Sequence, residues 1–105
     1  MNLKTILLPE GLMEIGYEAF CNNQYLQRIT LPSRVAYIGG RAFAECYLLS
    51  EVTLLPETPP NCGKEAFSDS WGGVSYPIYV PSGSLAAYKA APGWSDYANR
   101  IQAMP

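Results

Sequence analysis

Histidine is absent from the 105 residues, so the commonest general acid-base and the commonest neutral metal ligand are both missing. Only three cysteines occur, Cys21, Cys46 and Cys62. An odd number leaves at least one unpaired within the chain, and none of the spacings is C-x-x-C, which disfavours a disulfide scaffold, a structural zinc site and a Cys-His nucleophile. The three read as free thiols, buried or half-buried. Charge is scarce as well: 7 Lys and Arg stand against 9 Asp and Glu, and the scattered bases leave no electrostatic footprint for nucleic acid. No apolar run approaches the roughly 18 residues that a membrane span requires. The opening "MNLKTILLPEGL" has a short apolar stretch and no small-residue cleavage site, so no export signal is expected in this chain. With 49% hydrophobic residues the chain is too apolar for intrinsic disorder. It has one domain's length, below the size at which a single globular core is comfortable.

What is present is a repeat. "LPEGLMEIGYEAF" at residues 8–20 returns 23 positions later as "LPSRVAYIGGRAF" at 31–43. Aligning residues 3–25 with 26–48 gives eight identities: Leu3/Leu26, Ile6/Ile29, Leu8/Leu31, Pro9/Pro32, Ile15/Ile38, Gly16/Gly39, Ala19/Ala42 and Phe20/Phe43. Ordinary residue usage gives about one or two. The pattern restarts with Leu49, Val52 and Leu54 and reaches Ala66 and Phe67 one residue late. The extra residue falls in "LPETPPNCG", where turn residues crowd and an insertion is cheap. A degenerate fourth start lies in "YPIYVP", with Ile78, Val80 and Pro81 at the places of Ile29, Leu31 and Pro32.

Within each unit, the spacing of two between Ile and Leu in L-x-x-I-x-L-P is the period of a strand, with Ile29 and Leu31 on one face and Arg28 and Thr30 on the other. Proline stops the strand. One such unit leaves its apolar face bare, whereas stacked copies build continuous ladders, each buried member contributing about 1.5 to 3 kcal/mol. Ile-Gly followed by Ala-Phe reads as the return side. Gly16 and Gly39 are expected to supply a φ that other residues reach only at a cost, and Phe20, Phe43 and Phe67 to fill the space between the two sides.

The unit L-x-x-I-x-L-P-x-x-[LV]-x-x-I-G-x-x-A-F-x-x-[CN]-x-x-L resembles the BspA-like leucine-rich repeats of bacterial surface proteins. The resemblance covers two complete units, residues 3–48, and an altered third to about residue 69. It implies a leucine-rich-repeat solenoid with β-rich repeats, short turns or helical pieces and a helical C-terminal cap, export, and a role at the cell surface such as adhesion to extracellular proteins. It also implies that the side chains at the Cys/Asn position, here Asn23 and Cys46, lie inside a turn, where Asn can satisfy backbone groups withdrawn from water. Cys21 and Cys62 fall off the pattern. Residues 1–70 are accordingly read as about three repeats and residues 71–105 as a degenerate last strand and a cap.

The tail supports a cap on its own residues. Ser82 or Ser84 suits a helix N-cap, "LAAYKAA" favours helix, and Pro92-Gly93 ends it before Trp94. Leu85 and Tyr88 share one helical face, and Trp94, Tyr97 and Ile101 add to the apolar side. At the other end Leu3 opens a repeat with nothing ahead of it. Two expectations follow: the chain is the terminal fragment of a longer repeat protein, or self-association through the uncapped N-terminal edge covers its first unit.

Little chemistry is advertised, so an enzyme is not expected, nor a cofactor or metal. Glu10, Glu14 and Glu18 recur every four residues but read as solvated loop residues. "PSGS" at 81–84 has no base partner and no nucleophile elbow. "WGG" at 71–73 lacks the lysine and spacing of a phosphate loop and reads as a flexible turn into the cap. Eight tyrosines and two tryptophans point outward or into the cap; Tyr88, Trp94 and Tyr97 are assigned to the cap core. Strand alternation places Thr5, Arg28, Glu51 and Pro77 in one outward row and Leu7, Thr30, Thr53 and Tyr79 in the next. These eight form the candidate binding face, with a protein ligand expected on it. A carbohydrate-binding module using Tyr79 or Trp71, and a structural stalk segment, remain alternatives.

Overall fold

The computed structural model describes residues 5–67 and 76–105. Its strands are short: β1 (Thr5–Ile6), β2 (Glu14–Ile15), β3 (Arg28–Leu31), β4 (Tyr37–Ile38), β5 (Glu51–Leu54), β6 (Asn61–Cys62), β7 (Ile78–Val80) and β8 (Ile101–Ala103). They form two parallel sheets, β1-β3-β5-β7-β8 and β2-β4-β6. In the first, Ile6 pairs with Ile29, Ile29 with Val52 and Val52 with Ile78; the first two steps are the 23-residue period of the sequence, and the step into β7 is 26 residues. In the second, Ile15 pairs with Ile38 and Ile38 with Cys62. The register steps by 23 from Thr30 to Thr53 and by 24 from Tyr37 to Asn61. The extra residue therefore lies between β5 and β6 and disturbs neither sheet.

Apolar rows from the two sheets meet inside. Ile29, Leu31, Val35, Ile38, Val52, Leu54, Ile78 and Val80 are buried. Between the sheets runs a third side, in which the chain bonds unit to unit without forming a regular strand. The amides of Glu18, Phe20 and Asn22 donate to the carbonyls of Gly40, Ala42 and Ala44 at 3.0, 2.8 and 2.9 Å, and those of Arg41 and Phe43 to Lys64 and Ala66 at 3.0 and 2.7 Å. On this side residues four apart turn left-handed, Glu18 and Asn22 in one unit and Arg41 and Glu45 in the next; with Glu65 they have φ between 55° and 65°. Each such residue costs roughly 1–2 kcal/mol, offset at Glu18, Asn22 and Arg41 by an amide bond to the next unit. On this side Phe20, Phe43 and Phe67 stack face to face, with centroids 5.2 and 5.3 Å apart and planes within 8° and 2° of parallel.

The glycines need a different explanation from the one the sequence suggests. Among the described residues the positive-φ glycine is Gly93, and Gly16 and Gly39 are not left-handed. Gly39 is glycine because of close approach: a Cβ there would lie 2.4 Å from the amide nitrogen of Tyr17, and one on Gly63 would lie 2.3 Å from that of Gly40. Gly16 has nothing within 4 Å. Glu14 is another correction, since it lies in β2 and not in a loop. Glu18 is exposed but paired, its carboxylate 3.2 Å from the Arg41 guanidinium, with Glu65 at 4.0 Å on the other side of Arg41.

After β7 come a 3-10 turn at Ser82–Ser84, the helix α1 (Leu85–Ala90), a 3-10 segment at Ser95–Arg100, and β8. The helix stops before Pro92-Gly93, as the sequence predicts. The helical part is modest, six residues in α1, and the segment ends by rejoining the first sheet, with Ile78 paired to Ile101 and Val80 to Ala103. Ser84 occupies the N-cap position of α1, yet its hydroxyl makes no capping bond; it donates instead to the carbonyl of Glu57 at 2.6 Å. Tyr88, Trp94, Tyr97 and Ile101 are buried. Leu3, the WGG at 71–73 and the boundary expected at residue 70 lie outside the described residues.

Two substitution series test this arrangement. Phe43 is buried with a stacked ring on each side, whereas Phe20 is only partly buried; Phe43→Ala is expected to cost about 3 to 5 kcal/mol, Phe20→Ala clearly less and exposed Thr30→Ala least, read by denaturant titration. Equal costs for Phe43 and Thr30 would reverse the assigned faces. In the glycine series, Gly39→Ala is expected to cost about 1 to 3 kcal/mol or more by overpacking against backbone while Gly16→Ala is tolerated. A left-handed requirement at both positions would instead make the two equal.

Candidate functional site

The outward surface of the first sheet carries the candidate face. Register puts Thr5 opposite Arg28 and Arg28 opposite Glu51, with Pro77 next in that row. The adjacent row runs Leu7, Thr30, Thr53, Tyr79. Neighbours within a row are about 4.8 Å apart, the spacing of hydrogen-bonded strands, so all eight residues lie on one continuous surface. Thr5, Leu7, Arg28 and Thr30 are exposed, Leu7 at 96%, while Glu51, Thr53, Pro77 and Tyr79 are half-buried. The face is thus most open over the first two units and shallower toward the C-terminal end. Sequence reasoning missed Gln102. It is exposed on β8 and pairs with Tyr79, extending the second row by one member. The signal was available, because Ile101 and Ala103 follow Ile78 and Val80 at the same 23-residue interval.

Electrostatically the face is almost silent. Arg28 Nε and Glu51 Oε1 lie 3.5 Å apart and neutralise each other, an exposed pair of the kind that adds only about 0–1 kcal/mol. The remaining members are uncharged. On its rim, a cleft lined by Thr5, Leu7, Arg28, Thr30, Pro32 and Leu55 gives the surface some relief beside the loops that follow the strands. Trp71, the other aromatic weighed for ligand stacking, lies outside the described residues.

Elsewhere the polar groups serve the turns. The Asn23 side-chain oxygen accepts from the amides of Tyr25 and Leu26, both at 3.1 Å. Cys46, one unit on, is buried and its thiol donates to the carbonyl of Phe20 at 3.1 Å. Cys62 does belong to the repeat, contrary to the sequence reading: it continues the Ile15–Ile38 row of the second sheet. The 24-residue step concealed this. Cys21 is half-buried, with its sulfur 3.8 Å from an Arg41 nitrogen. Burial pushes the Cys46 thiol up to about 11 and the Cys62 thiol up to about 12, where Asp96 adds to the effect. Among the described residues no group of three or more His, Cys, Asp or Glu is placed to hold a metal ion, and no helix is long and apolar enough to cross a membrane.

Parallel strands returning every 23 to 26 residues, with inward Ile, Leu and Val rows, Asn23 and Cys46 inside the turns of the first two units and stacked phenylalanines, define a leucine-rich-repeat protein. The chain belongs to the BspA-type leucine-rich repeat family: residues 1–78, to the first residue of β7, match the family described as BspA type leucine rich repeat region, six copies. The family is generally a non-enzymatic repeat scaffold and is typically surface-associated. No curated protein matches the chain.

The thiols provide a test of the turn geometry. Since the thiolate is the reactive form, raised values at Cys46 and Cys62 leave little of it near neutral pH. In the folded protein at about pH 8, just below the ordinary thiol value of about 8.5, half-buried Cys21 is expected to react first with a thiol reagent, and Cys46 and Cys62 to react quickly only after unfolding. Mass mapping of the labelled cysteine checks this. Equal rates for Cys46 before and after unfolding would remove it from the interior.

Proposed function

We propose that the chain is a non-enzymatic binding module of a cell-surface or secreted repeat protein, a solenoid of about three repeats closed by residues 71–105, and that it binds a protein through the outward face of its first sheet. The observation that carries this reading is the face itself. Thr5, Arg28 and Glu51 pair in one row and Thr30, Thr53 and Tyr79 in the next, with Pro77 and Leu7 beside the strand ends, on a framework whose apolar rows point the other way and are buried. Rigid strands hold these side chains in place at little entropic cost on binding, and threonine and tyrosine supply hydroxyls beside an exposed apolar Leu7. Because Arg28 and Glu51 pair within the face, the reading implies a partner without strong net charge.

Binding of the 105-residue protein to immobilised extracellular-matrix proteins, run beside a glycan array, tests this. A Thr30→Glu/Thr53→Glu/Tyr79→Ala variant is expected to lose about tenfold or more in affinity, while Lys89→Ala, at an exposed position of α1, is unaffected and the parent affinity changes little with salt. Binding that survives the triple change would move the site off this face. A response on the glycan array alone, lost with Tyr79, would favour the carbohydrate reading.

A further inference from the structure

The last repeat differs from the first two in the loop between β5 and β6, residues 55–60, "LPETPP". That loop is longer by one residue and holds three prolines, where residues 32–36 of the second unit read "PSRVA". The two residues of the loop that are buried are Pro56 and Pro60. Proline has no amide hydrogen, so nothing on these buried residues is left needing an acceptor. Their carbonyls do need donors, and the chain beyond β7 brings them. The Tyr88 hydroxyl donates to Pro56 at 2.7 Å, the Ser84 hydroxyl to Glu57 at 2.6 Å and the Trp94 indole N–H to Pro60 at 2.8 Å.

Comparison with the unit before shows what these donors replace. Ala36 stands where Pro60 stands; its amide donates to Met13 and its carbonyl accepts from the Asn61 amide of the following unit at 3.0 Å. At Pro60 the incoming amide is replaced by an indole. On the third side, the Phe43 amide donates to Ala66 of the following unit, whereas the Phe67 amide meets the Tyr97 hydroxyl at 3.3 Å. The ring stack closes in the same way, with Trp94 tilted over Phe67 at 5.6 Å and Tyr97 edge-on to it at 5.6 Å. Gly93, at φ 82°, approaches so closely that a Cβ would lie 2.6 Å from the Cys62 carbonyl oxygen.

We propose that residues 55–60 are a docking signal for the closing segment: the carbonyls of Pro56, Glu57 and Pro60 are read by Tyr88, Ser84 and Trp94. The closing segment therefore recognises this unit and not the two before it. The "PSRVA" loop of the second unit, one residue shorter, instead gives its Ala36 carbonyl to the Asn61 amide of the unit that follows.

The test grafts the sequence of residues 32–36 in place of residues 55–60, in a Trp71→Phe background so that Trp94 alone reports. The expected result is a red-shifted Trp94 emission, several-fold easier acrylamide quenching, and faster amide exchange in α1 and β8, with β3 and β4 still protected. A second variant, Ser84→Ala/Tyr88→Phe, keeps the packing and removes two donors; exchange in α1 is expected to rise about tenfold for each lost bond. A graft in which Trp94 stays as shielded as in the parent overturns the proposal. So does a graft that unfolds throughout while the double variant exchanges at the parent rate, since the loop would then support its own unit and not the docking of the segment.

Discussion

Every part of this structure answers to one distance, the separation of successive units along the stack. Hydrogen-bonded strands sit about 4.8 Å apart, and the chain meets that spacing on three sides at once. Two sides do so with parallel strands. The third does so with amides donated straight to the next unit, at the expense of left-handed residues. Aromatic rings fit the same interval, since offset stacks favour centroids in the 4.5–7 Å range, and Phe20, Phe43 and Phe67 fall at 5.2 and 5.3 Å. Where the units come closest no side chain fits, which explains Gly39 and Gly63. The inserted residue is tolerated because it lies between two sheets and leaves both registers intact.

Features that enforce this interval were legible in the sequence. The 23-residue period, the inward Ile and Leu rows, the Phe ladder and the end of α1 at Pro92-Gly93 follow from spacing and residue type, Asn23 inside its turn from the family resemblance, and the structure agrees. What escaped has physical reasons. Glutamate and arginine carry no left-handed preference, so nothing in Glu18, Arg41 or Glu65 announces their φ; the need comes from amides in the neighbouring unit. Glycine signals freedom of φ and close approach with the same letter, and only coordinates separate them. Cys62 replaces an isoleucine after a 24-residue step, which hid its place in the row. Ile101 and Ala103 keep the period, but the helical and aromatic signals before them drew the eye to a cap, and the strand β8 went unseen. Ser84 looks like an N-cap by type, yet the Glu57 carbonyl is the acceptor it reaches.

The same constraint separates what this chain must hold fixed from what it leaves free. Inward positions recur almost unchanged within the chain: Ile6, Ile29, Val52, Ile78 and Ile101 form one row across the five strands of the first sheet. Outward positions obey no such rule. Thr5, Arg28, Glu51 and Pro77 share a row and have no chemistry in common, although the backbone beneath them is as regular as that beneath the isoleucines. Stacking energy comes from the buried rows, so a substitution on the open face changes stability little and leaves room for recognition to shape it. That is why the period reveals the fold so readily and the ligand so poorly. On the proposed binding role, the near-cancellation of charge on the face leaves long-range attraction little to contribute, and affinity would have to arise from shape and from hydroxyl and apolar contacts at short range.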